Sequence, residues 1–310
     1  MDPFKAGEAL MVRAAAWERP LLVMAHHDDE VLLGGLLQRV APRVRIVWVT
    51  NSDGLYYEGT LKPAEYAEVR KAEGVRSAAI AGVPESATRC LDASEVEIYR
   101  RMAALYAGKS RVEDVLPHFR AIRDQVVAAV REARPDAVFT MAWQGGQPEH
   151  DLTHFFTRLA VCELERQTGR AVEFFHVPAY EYTILVAMRF NPLYRGERIR
   201  ILLTPDELAT KLEMIRAYPS QVRLFGDFRK VFRWVGRPLF ALTGGPATLE
   251  DFLAVEELGP VPEIDYAAKP HVHDRLTYMF DDFEGTRVTY SRSILPLVKA
   301  LAWRDAAGCP

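Results

Sequence analysis

Two histidines and three carboxylates stand side by side early in the chain, in the segment Ala25-His26-His27-Asp28-Asp29-Glu30. The segment follows the apolar run 21–25, which predicts a buried strand. A strand-to-helix turn directs several side chains into one cleft, and imidazole and carboxylate are good zinc ligands. A helix dipole would favour the acids alone at such a turn, but it does not account for adjacent histidines. The segment therefore predicts a metal site.

A second polar cluster, Gln147-Pro148-Glu149-His150-Asp151, follows another apolar run at 137–141. A catalytic zinc usually takes three protein ligands and leaves one position open for water, so the first segment needs a ligand from elsewhere. His150 is the candidate. His154 lies four residues further on and would share the helix face of His150; packing or a supporting contact is the favoured interpretation for it.

Strands alternate with helices along the chain. Apolar runs predict strands at 21–25, 45–50, 137–141 and 173–177, and periodic patterns predict helices at about 30–39, 63–80, 118–134 and 204–217. This order predicts an α/β fold with a parallel sheet and helices on both faces. Ligands of such sheets bind outside the carboxyl ends of the strands. The polar clusters after residues 25, 50 and 141 fall at those ends, so we expect them to meet in space.

The segment at 25–30 resembles the AHPDDE signature of the PIG-L/LmbE-like zinc-dependent N-deacetylase family, with His27 in place of the usual proline. Gln147-Pro148-Glu149-His150 resembles its second motif, HPDH. Three weaker matches keep the family order: Thr50-Asn51-Ser52-Asp53-Gly54, Arg70-Lys71-Ala72-Glu73, and Tyr218-Pro219-Ser220-Gln221 with Lys211 upstream. The resemblance covers roughly residues 20–225.

The resemblance implies a Rossmann-like three-layer sandwich with a mostly parallel sheet that holds one Zn²⁺ ion per chain, although another divalent metal would suit the same ligands. Carried over by position, the metal ligands are His26, Asp29 and His150, and the general base is Asp28. The implied reaction removes an N-acyl group, chiefly acetyl, from an amino sugar or a glycosylated small molecule. A carboxylate beside the water but off the metal suits this role, because it can take a proton and later return it to the leaving amine.

Four further residues are candidates for substrate binding, and each has a structural alternative. Arg70 would position the substrate or the acid cluster, or would form a surface ion pair with Glu73. Asn51 and Asp53 would bind sugar hydroxyls, or would serve the turn that contains them. Trp143 would stack on a sugar ring, or would pack against the protein.

Gln147 departs from the second motif, which usually begins with histidine. An amide cannot carry a proton, so either Gln147 donates a neutral hydrogen bond or His154, His271 or His273 serves the acid side of the reaction. Glu149 replaces aspartate and lengthens that side chain. Two other functions therefore stay open: a catalytically silent metal- or carbohydrate-binding protein on the same fold, and a metal hydrolase of another amide or of an ester.

The composition excludes several classes of partner. The net charge of −3 gives no case for a nucleic-acid partner, and no apolar run approaches the ~18 residues of a membrane span. Cys90, Cys162 and Cys309 lack the spacing of a disulfide framework, which favours a cytoplasmic protein. We predict a deacetylase core at 1–226 and a C-terminal extension at 227–310 that packs on it as a lid or a subunit contact. A homo-oligomer is compatible with this division.

Overall fold

The computed structural model describes residues 2–54, 59–179, 188–191, 194–238, 245–268, 278 and 282–302. The strands are β1 Pro20–Met24, β2 Arg45–Thr50, β3 Thr88–Ala93, β4 Ala137–Met141, β5 Glu173–Val177, β6 Ile199–Leu202, β7 Val255–Pro260, β8 Asp282–Phe283 and β9 Thr286–Arg287. In the described residues, seven of them form one sheet in the order β3-β2-β1-β4-β5-β7-β6, and β8 pairs with β9. All four strands predicted from the sequence are confirmed.

The helices surround this sheet. They are α1 Pro3–Ala14, α2 Gly34–Val40, α3 Pro63–Ile80, α4 Glu95–Tyr106, α5 Val112–Ala133, α6 Pro148–Thr168, α7 Pro205–Arg216, α8 Val222–Val231, α9 Leu249–Leu253 and α10 Leu295–Leu301. The predicted helix at about 30–39 begins instead as a 3-10 helix, Asp29–Leu33, and continues as α2. Helix α5 begins six residues before its predicted start, where the Asp114 carboxylate accepts a hydrogen bond from the Arg111 backbone N–H.

The predicted parallel sheet is confirmed for its first five strands. β1 pairs in parallel with β2 on one side and with β4 on the other, and β3 and β5 extend the two sides in the same direction. The connections after β1 and β4 therefore diverge from the middle of the sheet. This divergence opens a crevice at the carboxyl ends of the two strands, where ligands of open α/β sheets bind.

The sheet has an apolar core on each face. Successive side chains of a strand point to opposite faces, and β1 accordingly sends Leu21 and Val23 into one core and Leu22 and Met24 into the other. Helices α4, α5 and α6 cover the first core, and α1, α2 and α7 cover the second. The predicted three-layer α/β sandwich is confirmed.

The segment 227–310 is part of this architecture. Its strand β7 lies inside the sheet, antiparallel to both β5 and β6. Its Tyr266, Tyr290 and Leu297 are buried in the first core. Among the described helices, none is long and apolar enough to cross a membrane.

Candidate metal centre

Three buried side chains meet in the crevice between the ends of β1 and β4. His26 and Asp29 come from the turn after β1, and His150 is the third residue of α6, 124 positions away from His26. His26 Nδ1 lies 3.1 Å from His150 Nε2 and 3.5 Å from Asp29 Oδ2, and His150 Nε2 lies 3.3 Å from Asp29 Oδ1. Ligand atoms around a tetrahedral zinc ion are roughly 3.3 Å apart. The donor types and their spacing therefore fit one such ion.

The charges around these three residues favour a cation at their centre. Burial lowers the pKa of His26, but a hydrogen bond to Asp29 and the charges of Glu95, Asp29 and Glu149 outweigh it and raise that pKa to about 10. Burial raises the pKa of Asp29, yet His150 and His26 outweigh it and hold that pKa well below its usual range. The acidic surroundings thus hold a proton on His26, and a bound metal ion would take that proton's place.

Asp28 precedes Asp29 in the sequence, but its carboxylate points towards Arg70. Its Oδ2 lies 2.9 Å from an Arg70 guanidinium nitrogen, and the same guanidinium donates a hydrogen bond to the His27 carbonyl. Burial raises the pKa of Asp28 to about 7, against the lowering effect of Arg70. Its backbone φ of 124° lies in a region that residues other than glycine rarely adopt. Such strain is typical of functional turns, and here it separates the directions of two adjacent carboxylates.

Two of the weaker motif segments, 70–73 and 218–221, contact each other next to the turn after β1. The Glu30 carboxylate accepts hydrogen bonds from the hydroxyls of Ser77, at 2.6 Å, and Tyr218. The Glu73 carboxylate accepts from the Ser220 backbone N–H at 2.9 Å and from the Ser220 hydroxyl. The late segment at 218–221 is thereby fastened to α3 and to the turn after β1. These contacts hold the strained turn in place.

Asn51 and Asp53 have their side chains engaged within the protein. The Asn51 amide oxygen accepts a hydrogen bond from the Asp53 backbone N–H at 3.2 Å. The two Asp53 carboxylate oxygens accept from the Ser94 hydroxyl, at 2.5 Å, and from the Val96 backbone N–H, at 3.1 Å. This pattern links the turn after β2 to the first turn of α4.

His154 and Trp143 lie in an aromatic cluster beside α6. The buried His154 ring contacts the Met141 carbonyl through Nδ1, at 2.7 Å, and the Tyr266 hydroxyl through Nε2, at 2.8 Å. Burial lowers the pKa of His154 to about 4, so Nδ1–H donates to the carbonyl and Nε2 accepts from Tyr266. The Trp143 ring packs edge-on against Tyr266 and Tyr290, with centroids 5.1 and 6.0 Å away.

Gln147 precedes the first residue of α6 and is buried. Its amide makes no hydrogen bond with any part of the chain that the structure describes. It is therefore available to a group that enters the crevice. His271 and His273, the two C-terminal candidates for the acid side, lie outside the described residues.

A second acidic pair on the far side of His26 escaped the sequence analysis. His26, Glu95 and Glu149 are all buried, and one ligand atom of each lies within 4.8 Å of the others. Burial raises the pKa of Glu149 to about 8, although the charge of His26 lowers it. Glu95 begins α4, just after the carboxyl end of β3. Predicting β3 as a strand would have drawn attention to it.

His27, the residue that departs from the first motif, does not join the metal ligands. Its ring stacks on Trp48, with centroids 4.7 Å apart, and both its Nδ1 and its backbone N–H lie 3.2 Å from the Ser52 hydroxyl. Gly74 of α3 lies against both rings, where an added Cβ would come within 2.7 Å of His27 Cδ2 and 3.3 Å of Trp48 Cζ2. His27 is thus a packing residue that lies in the sequence between the candidate ligands His26 and Asp29.

The chain is similar to known proteins in sequence and in fold. Residues 21–161 match the PIG-L family model, described as GlcNAc-PI de-N-acetylase. The N,N'-diacetylchitobiose deacetylase from Pyrococcus horikoshii aligns with a TM-score of 0.54 and 18% identity, over 84% of this chain and 94% of that one. A deacetylase of teicoplanin biosynthesis aligns with a TM-score of 0.57 and 19% identity, over 79% and 99%. The A40926 pseudoaglycone deacetylase Dbv21 aligns with a TM-score of 0.53 and 19% identity, over 79% of this chain and 99% of that one. At these identities the structures show a shared fold. No curated protein sequence matches the chain.

Proposed function

The chain belongs to the PIG-L family through its residues 21–161, and we propose that it is a zinc-dependent hydrolase that removes an N-acyl group, chiefly acetyl, from an amino sugar or a glycosylated small molecule. The meeting of His26, Asp29 and His150 in one buried cluster carries the proposal. The three solved structures described above are deacetylases: one of N,N'-diacetylchitobiose, one in teicoplanin biosynthesis and one of A40926 pseudoaglycone. Since fold alone does not establish function, the cluster is the stronger argument.

His26, Asp29 and His150 would hold the metal ion and leave one side of it open. A bound zinc ion supplies Lewis-acid chemistry, because it polarises a carbonyl and lowers the pKa of water to ~7. Other divalent ions accept the same ligands, and metal analysis distinguishes them.

Asp28 is the proposed general base. Its carboxylate takes a proton from the attacking water as the water oxygen bonds to the acyl carbon. The bond between the acyl carbon and the nitrogen then breaks, and Asp28 returns the proton to the leaving amine. The products are a carboxylic acid, which loses its remaining proton to solvent at neutral pH, and a free amine. Arg70 holds the Asp28 carboxylate 2.9 Å from its guanidinium and so fixes its direction.

Gln147 is the proposed donor to the acyl oxygen. Its buried amide has no hydrogen-bond partner among the described residues, and it lies three positions before His150. A neutral donor aimed at a developing oxyanion stabilises the transition state without carrying a proton. The ring of His154 is engaged at both nitrogens, which favours a supporting role for it.

Two variants test the proposal. We expect Asp28→Asn to keep its metal while turnover falls about 10²–10⁴-fold, because only the proton acceptor is lost. We expect His150→Ala to lose the metal. Elemental analysis measures the metal, and amine release from a panel of N-acyl sugars, other amides and esters measures turnover. Asp124→Asn is the control, since Asp124 pairs with its neighbour Arg123 on the surface.

Normal turnover in Asp28→Asn would remove the proposed base. If metal-loaded wild-type protein released no amine from any amide, the deacetylase proposal would fail. Turnover of esters alone would indicate the hydrolase of a different bond, and no turnover at all would indicate a silent binding protein.

A further inference from the structure

The two nitrogens of the His26 ring face different groups. Nδ1 points to His150 and Asp29, which makes it the atom that would bind the metal. Nε2, on the opposite edge of the ring, is buried and has no hydrogen-bond partner of good geometry in the described residues. Glu95 Oε1 lies 3.4 Å from it. A shift of roughly 0.4 Å would bring this pair to the usual length of an N–H···O hydrogen bond.

We propose that Glu95 is a positioning residue for the metal ligand His26. The Glu95 carboxylate accepts the hydrogen of Nε2–H, and this keeps the lone pair of Nδ1 directed at the metal. A metal-binding histidine commonly donates its second N–H to a carboxylate, which fixes both the tautomer and the orientation of the ring. The inference rests on the proposed metal-dependent function.

The first turn of α4 holds Glu95 in position. Asp53 accepts hydrogen bonds from Ser94 and from Val96, the residues on either side of Glu95. Asp53 itself follows the end of β2, whose neighbour β1 leads to His26. The acceptor and the ring are thus attached to adjacent strands of one rigid sheet. This attachment limits how far Glu95 can move from Nε2.

Glu149 is the other carboxylate near Nε2. It belongs to the same 4.8 Å cluster, and both of its carboxylate oxygens are buried without a hydrogen-bond partner in the described residues. If Glu95 and Glu149 instead acted as ligands, His26 Nε2 would join them around a second ion, and the His26 ring would bridge two metals. The number of ions per chain separates this arrangement from the one proposed.

The test compares Glu95→Ala and Glu95→Gln with wild-type protein, starting from metal-free samples. Zn²⁺ affinity is measured by competition with a chelator of known affinity, and the number of ions by elemental analysis. Loss of an outer carboxylate typically weakens metal binding 10–100-fold. We expect that range for Glu95→Ala and a smaller loss for Glu95→Gln, whose amide oxygen still accepts a hydrogen bond. Visible spectra of the Co²⁺-loaded proteins should keep their intensity, because the three ligands are unchanged.

Glu97→Gln is the matched control, because Glu97 lies on the same helix and pairs with Arg100 and Arg101 instead of the metal site. Its Zn²⁺ affinity should equal that of wild type. Circular dichroism of each variant establishes that a weaker affinity does not come from an unfolded protein.

Two results would overturn the positioning role. One is a folded Glu95→Ala variant that binds Zn²⁺ as tightly as wild type. The other is a wild-type protein with two ions per chain that falls to one in Glu95→Ala, which would make Glu95 a ligand. Failure of the proposed function looks different, because wild-type protein would then bind Zn²⁺ weakly or release no amine.

Discussion

At the scale of single residues, His27 shows how this chain accommodates a departure from its family motif. An imidazole is larger than the usual proline, and its ring occupies space next to Trp48 and Gly74. The absence of a side chain at Gly74 creates that space. The motif was recognisable from the sequence, but the pairing of His27 with Gly74 was not, because the two residues touch only after α3 packs on the sheet.

Gly74→Ala tests this packing. The added Cβ would lie 2.7 Å from His27 Cδ2 and 3.3 Å from Trp48 Cζ2, and overpacking of a dense core costs about 1–3 kcal/mol. We expect the free energy of unfolding in urea to fall by that amount. In the double variant His27→Ala/Gly74→Ala the added Cβ no longer meets the ring. Its free energy of unfolding should therefore fall by less than the sum of the losses in the two single variants.

Gly226→Ala is the control, because an added Cβ at Gly226 meets no atom within 4 Å. It should be neutral or slightly stabilising. Equal stability of Gly74→Ala and wild type would contradict the proposed contact.

Because the pKa of the buried His154 is lowered, we expect the free energy of unfolding to depend on pH. Its pKa is about 4 in the folded chain and about 6.5 in an unfolded chain. Between these values the unfolded state binds more protons, so the stability contributed by neutral His154 is present above pH 6.5 and is lost as the pH falls towards 4. The loss is on the order of 3 kcal/mol. The free energy of unfolding of metal-free protein, measured in urea at pH 7 and at pH 5, should differ less between the two pH values in His154→Asn than in wild type. The same difference in both proteins would refute this assignment.

At the scale of elements, the sequence predicted the strands that precede both motifs, but it did not predict β3 or α4, and it offered α6 only as a conditional helix start at the second motif. The predicted strands are continuous apolar runs, which buried parallel strands require. β3 is an edge strand of mixed composition, Thr88–Ala93, and α4 follows it after one residue. β3 therefore lacks the continuous apolar run on which the strand predictions depended. Glu95 was missed for this reason, although the rule that places ligands at strand ends applies to it.

Asp53 links the end of β2 to α4, and its loss should affect both the helix and the site. Loss of a residue that caps a helix in this way costs about 0.5–2 kcal/mol, and we expect Asp53→Ala to lower the free energy of unfolding by that amount. Its Zn²⁺ affinity should fall as well, because Glu95 is no longer held. Asp53→Asn keeps one acceptor oxygen, so it should lose less stability and less Zn²⁺ affinity than Asp53→Ala. Chelator competition and urea unfolding measure the two effects, and an unchanged affinity would show that α4 is fixed by other contacts.

At the scale of the whole molecule, the segment after residue 226 contacts the helix that follows the turn after β1. Glu256 of β7 accepts hydrogen bonds from the Gly35 and Leu36 backbone N–H groups at 2.7 and 3.0 Å, and it pairs with Lys211 at 2.8 Å. It thereby caps the N-terminus of α2, where a negative charge is favourable. Lys211 was noted as part of a motif, but its partner could not be predicted because it comes from a distant strand that pairs antiparallel.

Glu256→Ala should destabilise the protein strongly. Glu256 and Lys211 are both buried, and removing one partner of a buried ion pair costs about 3–5 kcal/mol because the other charge stays uncompensated. Thermal and urea unfolding measure the loss. Adding Lys211→Met should restore part of it, since the unpaired charge is then removed as well. Glu250→Ala, on an exposed part of α9, is the control, and a Glu256→Ala variant as stable as this control would contradict the assignment.

The insertion of β7 between β5 and β6 also has a consequence for synthesis on the ribosome. All three proposed metal ligands emerge by residue 150, but the strand that pairs with β5 emerges only at residues 255–260. Between residues 177 and 255 the nascent chain carries β5 as an open sheet edge, and such edges readily pair with other chains. Shortened forms of the protein that end before residue 255 should therefore aggregate during expression.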